Sequence, residues 1–161
     1  MLNREYDQVC SLARSLEILG ERWTLLVIRD VFYGKRRFDA IQEDLGVARN
    51  VLSSRLARLV DEGILEKRAY QERPVRYEYF LTEKGIDLWP TMITLMHWGD
   101  RYVADHGPPV VIHHKECDGE VDDRGYCGRC GERLTARDAY AQYGPGAAGR
   151  GPVGRAVTAA G

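Results

Sequence analysis

Apolar residues recur every three or four positions between residues 11 and 63, in blocks that each end near a glycine. Because residues three and four apart share one face of a helix, this spacing predicts a run of short helices. In the fourth of them, Leu52, Leu56 and Leu59 form the stripe that faces the core. The predicted helices cover residues 11–19, 22–32, 36–45 and 48–62, and the glycines that follow or end them are Gly20, Gly34, Gly46 and Gly63.

After the fourth helix, short runs of aliphatic and aromatic residues replace the helical spacing. Residues 64–68 and 77–81 are predicted to form two strands of a hairpin, with a charged loop at 69–76 between them. A longer helix is predicted from about residue 82 to residue 105. Pro90 lies inside this helix and is expected to kink it, because proline lacks the N–H that an interior helical bond needs.

Changes in composition divide the chain into three parts. Gly107, Pro108 and Pro109 mark the end of a first domain at 1–106. Residues 110–143 form a small segment that contains cysteines. Residues 144–161 are rich in glycine, alanine and proline and cannot bury a core, so they are predicted to be a disordered tail.

The composition is that of a globular protein, with 44% hydrophobic and 29% charged residues and a formal net charge of −1. No overall charge therefore indicates nucleic acid or a membrane as the partner. There is no apolar run long enough to span a membrane and no secretory leader, so a cytoplasmic location is expected. In that compartment thiols stay reduced, and the four cysteines favour metal binding or redox chemistry over a disulfide framework.

The charges are unevenly distributed along the chain. Residues 46–60 hold three arginines and no acid, and residues 67–76 hold four basic residues against one glutamate. Short helices followed by a hairpin are the order of a winged helix-turn-helix, in which 48–62 would be the recognition helix and 64–82 the wing. An ordinary amphipathic helix with a solvated face is the alternative.

Side chains on the outer face of the fourth helix suit DNA. Arginine pairs with guanine through two hydrogen bonds, and asparagine pairs with adenine in the same way. The hairpin arginines suit the adjacent backbone or minor groove. The candidate contacts are Arg49, Asn50, Ser53, Ser54 and Arg58 on the helix, and Arg73 and Arg76 on the wing.

Several motifs in one order resemble the HxlR family of winged-helix bacterial transcription regulators, over about residues 9–106. They are Cys10, Gly20-Glu21-Arg22-Trp23-Thr24-Leu25-Leu26, Gly34-Lys35-Arg36-Arg37-Phe38, Val51-Leu52-Ser53-Ser54-Arg55-Leu56, Glu62-Gly63-Ile64-Leu65, Tyr77 to Gly85, Leu88-Trp89-Pro90 and Trp98-Gly99. Arg22 stands where the family commonly has lysine. The expected fold class is thus mainly α (α+β): a winged helix-turn-helix with a two-stranded wing, a C-terminal dimerisation helix and a small zinc-ribbon-like extension.

The resemblance implies a homodimer on a two-fold site in double-stranded DNA. It also implies dimerisation through the first helix and the helix 83–105. Arg37 matches an arginine of the family and is interpreted as a phosphate contact. Arg55 matches an arginine of the recognition helix, but it lies at the flank, where a salt bridge within the protein is an alternative.

Two features leave a regulatory role open. In some relatives the cysteine that matches Cys10 senses oxidants, whereas a buried, inert cysteine at the dimer helix is the alternative. The cluster of Trp89, Met92, Ile93 and Met96 could line a pocket for a small-molecule effector or form the dimer core.

The cysteine segment has the spacing of a metal site. His114-x2-Cys117 and Cys127-x2-Cys130 are two ligand pairs, and one histidine with three cysteines is a normal structural zinc set. His113 competes with His114, but only His114 gives the x2 spacing. One structural Zn²⁺ per chain is therefore predicted, with free or redox-active thiols as the alternative.

No catalytic motif is present: the sequence lacks a Gly-rich phosphate loop, His-Glu-x-x-His and Gly-x-Ser-x-Gly. An enzyme is therefore not expected. Besides a DNA-binding regulator, the sequence allows a zinc-dependent protein-interaction module or a thiol-based redox sensor that uses the same fold.

Overall fold

The computed structural model describes residues 6–147. Six helices and two antiparallel strand pairs make up an α+β fold over this range. The elements are α1 Ser11–Leu19, α2 Thr24–Phe32, α3 Phe38–Leu45, α4 Arg49–Asp61, β1 Leu65–Glu72, β2 Val75–Leu81, α5 Glu83–Ile86, α6 Trp89–Tyr102, β3 Val110–His114 and β4 Ala139–Tyr143.

Helices α2, α3 and α4 pack around one apolar core that positions the fourth helix. Ile28 of α2, Ile41 of α3 and Leu52 and Leu56 of α4 are almost completely buried. The four helices predicted from the sequence are present, and their ends differ from the predicted ends by at most two residues. Helix α2 begins late because Trp23, its N-cap residue, has a left-handed backbone with φ 79°.

The hairpin is longer than predicted. The residues expected to form a loop at 69–76 belong mostly to the strands, and only Arg73 and Pro74 connect them. Leu65 pairs with Leu81 and Glu72 with Val75, with an irregularity between Ala69 and Gln71. The prediction was wrong here because most of this ribbon is exposed on both faces, so its strands lack the apolar alternation that marks a half-buried strand.

The predicted kink at Pro90 is also wrong. The chain forms two helices, and Pro90 lies in the first turn of α6, where its missing N–H has no intrahelical partner to lose. The short helix α5 is capped by Thr82, whose Oγ1 accepts a hydrogen bond from the N–H of Gly85. Gly85 lies so close to the carbonyl of Ile64 that a side chain would clash there, which ties α5 to the base of the hairpin.

The C-terminal extension, residues 110–143, contains strands β3 and β4 and packs against α6. Thr94 Oγ1 donates to the carbonyl of Asp123, and His97 Nε2 lies 3.0 Å from the carbonyl oxygen of Val121. Arg101 adds an ion pair to Asp123. Apolar side chains of the extension join the same core as the helices, so the extension is a packed part of the fold.

The chain stays ordered for a few residues beyond β4. Pro145–Ala147 form a short 3₁₀ helix, and the N–H of Gly144 donates to the carbonyl of Pro109. The predicted disordered tail therefore begins too early, because main-chain bonds fix residues whose composition alone suggests disorder. Residues 148–161 of that prediction lie outside the described residues.

Among residues 6–147, none of the helices has both the length and the apolar character needed to cross a membrane.

Candidate functional site

The outer face of α4 is open to solvent over its first two turns. Asn50 and Ser53 are exposed, and Ser54 is half-buried at the edge of the face. Arg49 is 70% exposed, stacks over the ring of Phe38 at 4.8 Å and has only long contacts with α3. The sequence folds this way because the leucine stripe of α4 occupies the core and turns these polar side chains outward.

Two other candidate residues of α4 are engaged inside the chain. Arg55 is 15% exposed, forms an ion pair with Glu21 and donates from Nε to the carbonyl of Arg22 at 3.0 Å. Arg55 therefore holds α4 to the turn before α2. This is the salt bridge within the protein that its position at the flank of the helix raised as an alternative to a DNA contact. Arg58 forms an i,i+4 pair with Glu62 but remains substantially exposed.

Two arginines lie at the tip of the hairpin, and a third, just before α3, contacts its second strand. Arg73 and Arg76 are exposed, and neither guanidinium has a hydrogen bond or ion pair within residues 6–147. Arg37, just before α3, donates from Nε to Glu78 at 2.9 Å and lies over the ring of Tyr70 at 4.3 Å. These two contacts of Arg37 hold the hairpin to the start of α3.

One basic side chain of the hairpin was counted among the basic residues of 67–76 but was not among the candidate DNA contacts. Lys67 is exposed on β1, and its Nζ lies 4.9 Å from the centre of the Tyr77 ring on β2. The sequence signal was the presence of Tyr70 and Tyr77 at the two ends of the charged segment. Aromatic residues favour strands, so this pair indicates a two-stranded ribbon and not a loop.

Four side chains of the extension converge on one point. They are His114, Cys117, Cys127 and Cys130, and their ligand atoms all lie within 4.8 Å of one another. Cys117 Sγ lies 3.3 Å from His114 Nδ1 and 3.4 Å from Cys127 Sγ, and Cys130 Sγ lies 3.4 Å from His114 Nδ1. A tetrahedral zinc with Zn–S bonds of about 2.3 Å requires sulfur–sulfur edges of roughly 3.8 Å. The cluster therefore has the size and ligands of a site that could hold a metal.

The surroundings shift the pKa values of two of the thiols in opposite directions. The N–H of Gly119 lowers the pKa of the Cys117 thiol, but burial and the neighbouring thiols of Cys127 and Cys130 outweigh it, so that this pKa is raised. Backbone N–H groups of Cys130 and Arg129 lower the pKa of the Cys127 thiol to about 6, although burial acts in the opposite direction. Gly119 lies so close to Cys127 Sγ that any side chain at this position would clash. His113 points elsewhere, since it stacks on Tyr140.

A buried charge cluster links α2 to α3. Asp30 is completely buried, and its Oδ1 accepts hydrogen bonds from Arg29 Nε at 3.0 Å and Nη2 at 2.7 Å. Arg29 Nη2 also donates to Asp44 of α3 at 2.9 Å, and Lys35 pairs with the same carboxylate. Burial raises the pKa of Asp30 to about 6, against the effects of Arg29 and Lys35. The sequence signal was an aspartate inside the apolar run of α2.

Cys10 is exposed at the N-terminal end of α1. Backbone N–H groups of Ala13 and Leu12 lower the pKa of its thiol. Within a single chain this thiol is therefore accessible to solvent.

Comparison with known proteins gives concordant results. Residues 18–107 match the sequence model of the family described as HxlR-like helix-turn-helix. The chain is 45% identical over 137 residues to the HTH-type transcriptional regulator Rv3095 of Mycobacterium tuberculosis, which covers 84% of this chain and 87% of that protein. Neither the matching family nor this relative is described as an enzyme.

Solved structures show which part of the chain is shared. The crystal structure of PA1607 superposes with a TM-score of 0.67 at 32% identity and covers 83% of this chain and 94% of that chain. The reduced form of the transcriptional regulator YodB from Bacillus subtilis has a TM-score of 0.51 at 32% identity. It covers 60% of this chain and 96% of that chain. The extension is thus an addition to the part shared with YodB.

Proposed function

The chain belongs to the HxlR-like helix-turn-helix family of transcriptional regulators, and from this we propose that it acts as a homodimer on a two-fold operator in double-stranded DNA. In this proposal α4 enters the major groove, and the hairpin β1–β2 lies on the adjacent backbone or minor groove. The observation that carries it is the polar outer face of α4, together with two arginines at the hairpin tip that have no hydrogen bond or ion pair within residues 6–147.

In this proposal α4 makes the base-specific contacts, and the hairpin contacts the phosphates. Asn50 and Arg49 lie near the N-terminal end of α4, where side chains of a recognition helix reach base edges. The arginines of the hairpin tip are better suited to phosphates, because a solvated guanidinium on an exposed ribbon lacks the fixed geometry that base recognition needs. Ser53 and Ser54 are short enough to let the α4 backbone approach the DNA.

Exposed apolar side chains on α1 and α6 support the homodimer. No residue of α1 is buried within the chain, although its apolar residues lie on one face. The large apolar residues left exposed are Leu12 and Leu16 on α1, and Leu95, Trp98 and Tyr102 on α6. Exposed apolar patches of this kind usually mark interaction sites.

We expect DNase footprinting upstream of the protein's own gene to show two protected half-sites about one DNA turn apart, or a multiple of that. Sedimentation should give a dimer at micromolar concentration. The variant Trp98→Glu should shift the protein toward monomer and weaken operator binding, while Tyr126→Glu, an exposed aromatic of the extension, serves as the control. A monomeric wild-type protein with full operator affinity would contradict the proposal.

The roles of α4 and the hairpin predict different effects of substitution. Asn50→Ala and Arg49→Ala should reduce discrimination between operator variants by about 1–3 kcal/mol per lost base contact. Arg73→Ala and Arg76→Ala should weaken binding to all sequences alike and lower the salt slope by about one each. Titrations on paired operator variants at several salt concentrations measure both effects.

Arg101→Ala, which removes an ion pair on α6 away from α4 and the hairpin, is the matched control and should change neither quantity. If the hairpin variants altered base preference and the α4 variants did not, the assigned roles would be reversed.

We also propose that the cysteine–histidine cluster holds one zinc ion per chain. Three thiolates and one imidazole are the ligands that structural zinc sites use, and four protein ligands leave no position for a substrate. The ion would join the start of the extension at His114 to the turn at Cys127–Cys130. The carboxylate of Glu132 lies 3.9 Å from His114 Nε2, the ring nitrogen that does not face the thiols.

A thiol-based sensor at Cys10 is the second candidate function. Its exposure and lowered pKa are two conditions for a reactive thiol. Treating the dimer with diamide should then release the operator in wild type but not in Cys10→Ser, provided the other cysteines remain bound to zinc.

A further inference from the structure

A cavity of about 430 Å³ lies between the helix-turn-helix and the extension. Its walls come from three elements: Leu25 and Phe32 belong to α2, Met92 and Met96 to α6, and Ile112 and Ala139 to the extension sheet. Pockets for small organic ligands have volumes of about 300–1,000 Å³ and mostly apolar walls. The cavity meets both conditions, and the extension supplies one of its walls.

The cavity lies next to the surface assigned to the dimer and shares Leu95 with it. At 100° per residue, Trp89, Ile93 and Met96 share the face of α6 that lines the cavity. His97 and Arg101 lie on a second face, which contacts the extension. Trp98 and Tyr102 lie on the third face, which is exposed and outside the cavity lining. A second copy that covers Trp98 and Tyr102 would therefore border the cavity at Leu95.

Few polar groups face the cavity, and they differ in how well they are paired. Arg29 is already neutralised by Asp30 and Asp44. The carboxylate of Asp100 has no hydrogen bond or ion pair within residues 6–147. Partial burial raises the pKa of Asp100, and nearby His97 only partly opposes this effect. A bound molecule could therefore supply the hydrogen-bond donor or positive charge that the Asp100 carboxylate lacks within residues 6–147.

We propose that this cavity binds a small, largely apolar aromatic molecule that directs an N–H or O–H donor toward Asp100. The two methionines suit such a ligand, because their flexible thioether side chains adapt to aromatic shapes. An anionic aromatic molecule is disfavoured, since its charge would face an unpaired carboxylate.

Arg29 connects the cavity to the DNA-binding element. Arg29 lines the cavity and donates a hydrogen bond to Asp44 on α3, the helix that precedes the recognition helix. A ligand that displaces Arg29 would alter this bond and so bias the position of α3. This regulatory consequence rests on the proposed DNA-binding function, whereas ligand binding itself does not.

Two fluorescent probes with the same skeleton test the site in the full-length protein. N-phenyl-1-naphthylamine is neutral and carries one N–H, and 1-anilinonaphthalene-8-sulfonate adds a negative charge. We expect saturable binding of the neutral probe at one molecule per chain, with affinity about tenfold or more above that of the sulfonate. Asp100→Asn should remove most of this preference.

A cavity-filling variant locates the binding. Gly99 lines the cavity, and a Cβ built there meets only Val103 at an ordinary 3.7 Å, so Gly99→Leu places a side chain in the cavity without a backbone clash. Leucine also favours a helix more than glycine does, which protects the fold. We expect binding of the neutral probe to weaken about tenfold or more, whereas Tyr126→Ala, at an exposed residue of the extension outside the cavity lining, should leave it unchanged.

The remaining outcomes overturn the proposal. Absence of saturable binding would remove the site, and equal affinity for the two probes in wild type would remove the assigned ligand chemistry. If Gly99→Leu dissociated the dimer, the cavity would belong to a second copy. Because probe binding is measured without DNA and operator binding without probe, failure of one proposal is distinguishable from failure of the other.

Discussion

Replacing Cys127 with serine is expected to release the proposed zinc ion and to unfold most of residues 110–143. Cys127 is 2% exposed and lies at the centre of the ligand cluster. Structural zinc contributes on the order of 10 kcal/mol to the folding of small domains, and the few buried apolar residues of the extension cannot replace it. Helices α2 to α4 should stay folded, because their core is formed by their own side chains.

Elemental analysis should find one zinc per chain in wild type and none in Cys127→Ser. Amide hydrogen exchange should show protection lost in 110–143 and kept in α2–α4. Cys10→Ser is the matched control, since it removes a thiol that is far from the cluster in sequence and absent from it in the structure. Protein purified under reducing, chelator-free conditions without zinc would favour free thiols. A Cys127→Ser variant with an intact extension would contradict a structural ion.

Local patterns predicted the elements that carry the proposed DNA contacts. The leucine stripe of α4 identified its inner and outer faces, because a helix that packs on a core must repeat its apolar residues every three or four positions. The spacing of His114, Cys117, Cys127 and Cys130 similarly identified the four side chains that converge. In both cases the information lies within a short stretch of chain.

Features that depend on distant contacts were not predictable in the same way. The hairpin strands of residues 69–76 are held by main-chain bonds to each other, and these leave no apolar pattern. The cavity forms only because Ile112 and Ala139 pack near α2 and α6. The partners of Arg55 likewise come from the turn before α2, which helical spacing alone leaves open.

The charge cluster beneath the helix-turn-helix predicts a pH-dependent loss of stability in Arg29→Met. Burial raises the pKa of Asp30 to about 6, so the folded state binds this proton more tightly than the unfolded chain does. In wild type this group therefore lowers the free energy of unfolding as the pH rises from about 4 to about 6, after which its contribution is constant. Arg29 limits that loss by bonding the ionised form.

Removing Arg29 should cost on the order of 3 kcal/mol of unfolding free energy near pH 8, because a buried carboxylate loses its cation. The cost should be smaller near pH 5, where Asp30 is largely protonated in the folded protein and needs the cation less. Urea unfolding at a series of pH values measures the difference.

In the Asp30→Asn background, Arg29→Met should cost less and show little pH dependence. Arg58→Met breaks an exposed i,i+4 pair and should cost only about 0.5 kcal/mol at any pH. A cost of Arg29→Met that stayed the same from pH 5 to pH 8 would show that Asp30 is not the group that needs this arginine.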